Sequence, residues 1–330
     1  MALYCGIDLH STNSWIVVLE EGHRVVLEHK ARNDLKEILE VLEPFREGLV
    51  GIAVESTFNW YWLVDGLMDA GHHVHLTNTW GAKQYDGLKY TDDRHDARWL
   101  AHLLWLQILP EGYISPREDR LVRDLLRRRR FLVQQHTALL LSVQGTVQRL
   151  TGLHVPSNDI KRWTGDGLEE LIEDPVPLMG IRAFLEPLRV MAGQIKLLEK
   201  EALRRARRRD EFPYLRSVWG VGPVLATTIT YEAGDPQRFR SVGNFSSYCR
   251  LVESKRISNG KRKGKGNRKN GNPYLSWVFS EAGHFAVRYH EPARRFYQRK
   301  RSRTNGIVAI RASFYVMRDH VTFDPDRLFQ

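Results

Sequence analysis

The sequence predicts an α/β domain in the first third of the chain and a mainly α-helical remainder. Up to about residue 115, short apolar runs of strand type alternate with helix-type patterns. From about Arg117, apolar residues recur at helical spacing over two long stretches, separated by a Pro- and Gly-punctuated segment. The 330 residues allow two or three domains, each with its own core. The expected divisions are 1–115, 116–210 and 211–330.

Composition narrows the function. The chain carries 50 Lys plus Arg against 39 Asp plus Glu, a formal charge of +11 that points to a polyanionic partner, nucleic acid first. Its 42% hydrophobic content excludes wholesale disorder. The two cysteines, Cys5 and Cys249, form no C-x-x-C motif, so neither a disulfide framework nor a zinc knuckle is indicated. The N-terminus enters a strand directly, without the pattern of a signal peptide, and no apolar run approaches the roughly 20 residues of a membrane span. A soluble cytoplasmic protein with no membrane partner is expected.

Leu3–Asp8, Ser14–Leu19 and Val25–His29 read as three strands joined by turns at His10–Asn13 and Glu20–His23. Asn33 then caps a helix with Leu35, Ile38, Leu39, Val41 and Leu42 on its apolar side. Another apolar strand, Leu49 to Glu55, is followed by a Trp- and Leu-rich helix from Trp60 to Gly71 and a short strand at His73–Thr77. A three-strand meander followed by alternating helix and strand is the order of a ribonuclease-H-like domain. His72, His73 and His75 are closely set, but on a strand after a helix end they read as structural.

Two of these strands end in an acid. Asp8 follows Gly6-Ile7, and Glu55 follows Ala53-Val54. A buried carboxylate is costly unless it is paired or holds a metal. At the start of a later helix, Asp93 and Asp96 sit three apart, on one face of its first turn. Asp8, Glu55, Asp93 and Asp96 together suit one or two hard divalent cations. Against this, an acid at a helix start is commonly a cap, which is an alternative use of Asp92 or Asp93.

The long helical patterns, Arg117 to Leu150 and about Gly180 to Arg209, suggest a helical hairpin or coiled-coil arm of the kind used for dimerisation. Within the first lies Arg127-Arg128-Arg129-Arg130, read either as a solvated face or as phosphate contacts. Next, Gly220-Val221-Gly222 joins two helical patterns in the manner of a helix-hairpin-helix, whose turn presents backbone N–H groups to a phosphate. After Glu253, the stretch up to Asn272 has no acid and eight bases: Lys255, Arg256, Lys261, Arg262, Lys263, Lys265, Arg268 and Lys269. Its four glycines predict a flexible nucleic-acid-binding loop. Nearby cations would stabilise a serine alkoxide and a pentacovalent phosphorus, so a serine here is either a nucleophile or polar filler. An apolar helix at Tyr274–Tyr289, a basic helix at Arg294–Arg303 and a short apolar ridge at Ile307–Met317 close the chain.

Jointly, these pieces resemble the IS110-family transposases (recombinases), in particular the IS1111-like branch. The matching residues are Gly6-Ile7-Asp8, Val54-Glu55-Ser56-Thr57, Asp93-x-x-Asp96-Ala97-Arg98, the Gly220–Gly222 turn and Gly234-Asp235-x-x-Arg238-Phe239. The match continues through Ile257-Ser258-Asn259-Gly260 and Lys269–Asn272. The resemblance covers nearly the whole chain. It implies a RuvC-like N-terminal domain with Asp8, Glu55, Asp93 and Asp96 as its acidic tetrad, and a C-terminal transposase domain with Ser258 as nucleophile. It further implies Mg²⁺, with Mn²⁺ as a substitute, and DNA cut and rejoined through a phosphoserine link, the acidic site coming from a partner subunit. Also implied are a structured guide (bridge) RNA, a homodimer or dimer of dimers, and a bacterial, nucleoid-associated setting. Ser254, four residues before Ser258, is the competing nucleophile; the Ser-Asn-Gly context favours Ser258. A RuvC-like nuclease or Holliday junction resolvase using water, a nucleic-acid-binding protein without chemistry and, least favoured, an actin-like ATPase are the alternatives.

Overall fold

Apolar and β-branched residues dominate the first 32 positions and build three strands that pair antiparallel in succession: β1 (Leu3–Leu9), β2 (Asn13–Glu20) and β3 (Val25–Arg32). The computed structural model describes residues 1–82, 92–164, 167–252, 255–259, 261–265 and 270–303, with Gly306 and Ile310. Strand β4 (Leu49–Glu55) lies parallel to β1, and β5 (Val74–Thr77) parallel to β4, giving the order β3-β2-β1-β4-β5. Parallel neighbours require crossovers, and helices α1 (Leu35–Leu42) and α2 (Tyr61–Asp69) supply them. The short helix α3 (Thr79–Ala82) and helix α4 (Asp93–Trp105) follow.

The cap of α1 falls one residue later than expected. Asp34 accepts the N–H groups of Lys36 and Glu37, while Asn33 turns inward and accepts from the Ser14 hydroxyl at 2.8 Å. Both side chains can cap, and the buried Ser14 decides which one does. Strand parity then sorts β1. Cys5, Ile7 and Leu9 join Ile38, Leu42, Leu63 and Leu67 in the main core, while Val17, Leu19 and Ala53 meet α4 on the other face.

Met1–Ile114 forms one unit and Ser115–Gln330 a second. The second opens with α5 (Arg117–Thr151), the short α6 (Ser157–Ile160) and α7 (Pro175–Ala206). Helices α5 and α7 pack as an antiparallel hairpin. Leu140, Val143 and Val147 meet Leu178, Ile181 and Leu185 at one end, and Val122 and Leu126 cluster with Ala202 and Ala206 at the other. Helix α7 starts before Gly180 because Pro175 and Pro177 occupy its first turn, where a missing N–H costs nothing.

The root of this hairpin shares its core with the last third of the chain, through Phe212, Val221, Leu225, Ile229, Val278 and Phe279. That part comprises α8 (Glu211–Ser217), α9 (Pro223–Ala233), α10 (Val242–Tyr248), α11 (Pro273–Tyr289) and α12 (Glu291–Arg301). The basic stretch expected as a loop contains a β-hairpin, β6 (Lys255–Ser258) paired antiparallel with β7 (Lys261–Lys265). Ser258 pairs with Lys261 across a two-residue Asn259-Gly260 connection, a strong short-range hairpin signal that the glycine and charge count obscured. Ser254, Arg268, Lys269 and all of Ile307–Met317 except Ile310 lie outside the described residues.

Candidate active site

Because β1 and β4 run parallel with Ile7 opposite Val54, the next residue on each, Asp8 and Glu55, projects from the same sheet edge. Helix α4 brings the other two acids. It can lie against β1 because residue 6 is glycine: a Cβ there would sit 2.0 Å from the Ala97 carbonyl oxygen and 2.6 Å from the Ala101 nitrogen. Asp93 and Asp96 are one turn or less before Ala97, so the same approach carries them toward Asp8. The capping role falls to Asp92, which accepts the His95 N–H at 2.8 Å. Asp93 and Asp96 stand in the first turn that Asp92 caps.

Glu55, Asp93 and Asp96 all act electrostatically on Asp8, and of the three only Asp93 shares a close donor group with it among the described residues. Asp8 is buried, and its carboxyl is pushed up to about 9. Burial is the largest cause; a hydrogen bond that the protonated Asp8 carboxyl makes with Glu55 and the charges of Glu55, Asp96 and Asp93 add to it. Asp8, Asp93 and His10 offer three donor atoms within 4.8 Å of one another. His10 Nε2 lies 3.0 Å from Asp8 Oδ2 and 3.3 Å from Asp93 Oδ2, yet Asp8 Oδ2 and His10 Nε2 are buried without a hydrogen-bond partner among the described residues. Orphaned donor atoms amid crowded carboxylates fit a divalent cation, which would replace mutual repulsion with shared attraction.

His10 is the residue that sequence reasoning passed over. It follows Asp8 by two, the spacing that keeps two side chains on one side of an extended chain. Its backbone carbonyl accepts from the amides of Asn33 at 2.8 Å and Asn59 at 3.0 Å, which fixes the turn beneath it. His75, by contrast, is engaged with Glu111 at 2.8 Å and lies outside the acidic group.

In the second unit, Ser258 ends β6 beside the hairpin tip, and the paired strands carry Lys255, Arg256, Lys261, Arg262, Lys263 and Lys265. The arginine run on α5 divides differently from either expectation. Arg127 donates to both carboxylate oxygens of the buried Glu232, at 2.7 and 2.8 Å, and its guanidinium lies 4.5 Å from the Tyr274 ring centre. Arg129 pairs with Glu199, Arg130 lies over Tyr274 and Trp277, and Arg128 is exposed. Glu232 also accepts from Asn272 at 2.7 Å, while Asn272 caps α11. This triad ties α5, α9 and α11 together, and three of the four arginines thus serve the fold. Gly220, at φ +86°, packs where a Cβ would lie 2.3 Å from the Ala282 carbonyl oxygen, whereas Gly222 has an ordinary φ and open space around it.

Comparison with known proteins agrees on both units. Residues 5–151 match the IS110 DEDD transposase family, and residues 213–298 match the Transposase IS116/IS110/IS902 family. The chain belongs to the IS110 family of transposases. As a transposase it is an enzyme that acts on DNA, and its DEDD domain agrees with use of a divalent metal. It is also 26% identical over 244 residues to a protein of Pseudomonas aeruginosa named "Probable family 20 transposase", covering 72% of this chain and 71% of that one. Among the described residues, no helix of this transposase is long and apolar enough to cross a membrane.

Proposed function

We propose that this transposase cuts and rejoins DNA through a covalent Ser258–phosphate link, using the Asp8, Glu55, Asp93 and Asp96 carboxylates to hold Mg²⁺, or Mn²⁺ in its place. The observation that carries the metal half is the buried, orphaned Asp8 oxygen surrounded by three further acids and His10. Bound there, a divalent cation supplies Lewis-acid polarisation of the scissile phosphate. The chain's own groups do the rest. Lys and Arg side chains on β6 and β7 gather phosphate and favour the serine alkoxide. The serine oxygen bonds to phosphorus as a P–O bond to deoxyribose breaks, and the departing oxygen takes a proton. Attack by a second deoxyribose hydroxyl then forms the new strand and returns the serine. Phosphoester bonds are conserved in number, so rejoining needs no ATP.

Several features support further parts of this reading. Two DNA sites must be held together, which suits a homodimer or dimer of dimers built on the α5–α7 coiled-coil arm. Exposed Arg128, the Gly220–Gly222 turn, the lysines of the hairpin, and Arg268 and Lys269 after it in sequence would bind phosphates by charge and shape. Sequence choice would then rest with a structured guide RNA encoded beside the gene.

The deciding experiment is covalent capture of labelled element-junction DNA, with Mg²⁺ and that RNA present. The wild-type adduct is expected to vanish with Ser258→Ala and Asp8→Ala and to survive Ser254→Ala. Strand cleavage with no adduct would make water the nucleophile and sink the serine mechanism in favour of a metal-dependent nuclease.

A further inference from the structure

A cavity of about 690 Å³ opens in the second unit between the Val218–Gly222 turn and one ridge of α11. The ridge is Trp277, Glu281, Phe285 and Tyr289, spaced every four residues and so aligned along the helix. Trp219 stands opposite, and Arg216 donates to the Val221 carbonyl at 2.7 Å, fixing the turn. Trp219 is 54% exposed, Phe285 45% and Tyr289 61%. Three large aromatic side chains left open to solvent are not needed to fill a core. Their rings are nevertheless held in place: Phe285 stacks with Tyr289 at an interplanar angle of 10°, and one face of Trp219 stacks on His290 at 22°.

We infer that this cavity receives one unpaired nucleobase, from DNA or RNA, stacked against Trp219 and the Phe285–Tyr289 pair. The volume lies within the roughly 300–1,000 Å³ of small-molecule sites. Aromatic faces accept any base by stacking. Glu281, half buried in the lining, is a carboxylate able to accept from the exocyclic amine of adenine, cytosine or guanine, which thymine and uracil lack. The +11 charge of the chain favours a nucleic-acid occupant over an apolar peptide. The inference rests on the family's action on DNA, not on the serine or metal chemistry.

The test is a double-mutant cycle on the full chain, using a duplex with a short single-stranded tail made as DNA and as RNA, each with and without its tail bases. Removing the bases is expected to weaken wild-type binding about tenfold in at least one tail chemistry, which identifies the strand that supplies the base. The same removal is expected to leave Trp219→Ala and Tyr289→Ala nearly unchanged, with blunt-duplex affinity constant throughout. Trp219→Phe should restore part of the effect, and an unaltered thermal melt confirms that the variants fold. Irradiation of a 5-iodocytosine tail should crosslink to the peptide bearing Trp219 or Tyr289. An equal base penalty in wild type and variants, no penalty with either tail, or blunt-duplex binding lost in step would each overturn the inference. Adduct formation is scored separately, so failure here leaves the recombination mechanism intact.

Discussion

Asp8 is held in its neutral form by burial and by the acids around it, so it favours the folded state only while protonated. Its folded pKa lies above the unfolded one. The contribution is therefore complete below about pH 4 and fades as pH rises toward 9. Asp8→Asn removes the conflict: in chelator, its melting temperature should match wild type near pH 4 and exceed it increasingly up to pH 9. Added Mg²⁺ should close that gap by stabilising wild type alone, and a pH-independent gap would refute the account. A second residue-scale test concerns Glu232, buried beneath Arg127 and Asn272. Glu232→Ala leaves a guanidinium without its carboxylate and should cost about 3–5 kcal/mol in urea unfolding. A cost below about 1 kcal/mol would return Arg127 to the phosphate-binding role that its run of four arginines suggested. In the sequence Asp8 and Glu55 stand out because an acid closing an apolar strand is conspicuous, and Asp93 and Asp96 because they share one face of a helix's first turn. It could not reveal Glu232, whose partners lie 105 and 40 residues away in sequence.

At the scale of elements, the acidic site depends on how closely α4 can lie on β1, and glycine sets that distance. Gly6→Ala would place a methyl 2.0 Å from the Ala97 carbonyl, so the helix must shift and carry Asp93 and Asp96 with it. Mg²⁺ affinity by calorimetry should fall at least about tenfold, comparable to disturbing the groups that orient metal ligands. The far-UV spectrum should persist, because the opposite sheet face keeps its packing on α1 and α2. Unchanged Mg²⁺ affinity would mean the helix acids do not hold the ion. Periodicity revealed the meander and the two long helices, since both patterns run for many residues. Short-range chemistry was harder to read. Asn33 and Asp34 compete for one cap, and only the buried Ser14 hydroxyl selects between them. The β6–β7 hairpin hid behind its lysines, though Asn259-Gly260 marked its tip.

For the whole molecule, the division into two units separates the groups of the proposed chemistry: the acids belong to Met1–Ile114 and Ser258 to Ser115–Gln330. The proposed reaction needs both, and the chain itself does not dictate that one copy supply them. Complementation decides the matter. Asp8→Ala retains the serine and lacks the acidic site, while Ser258→Ala retains the acids and lacks the nucleophile, so each alone should form no adduct. If a partner subunit lends the acids, mixing the two variants under subunit exchange creates assemblies in which an intact acidic unit serves an intact serine. Adduct should then reappear at a fraction of the wild-type yield, on the Asp8→Ala chain only, which a size tag on one variant identifies. If one copy supplies both halves, no mixture contains a complete set and the adduct stays absent at every ratio. Recovery on the Ser258→Ala chain would instead show that another residue, with Ser254 the first candidate, is the nucleophile.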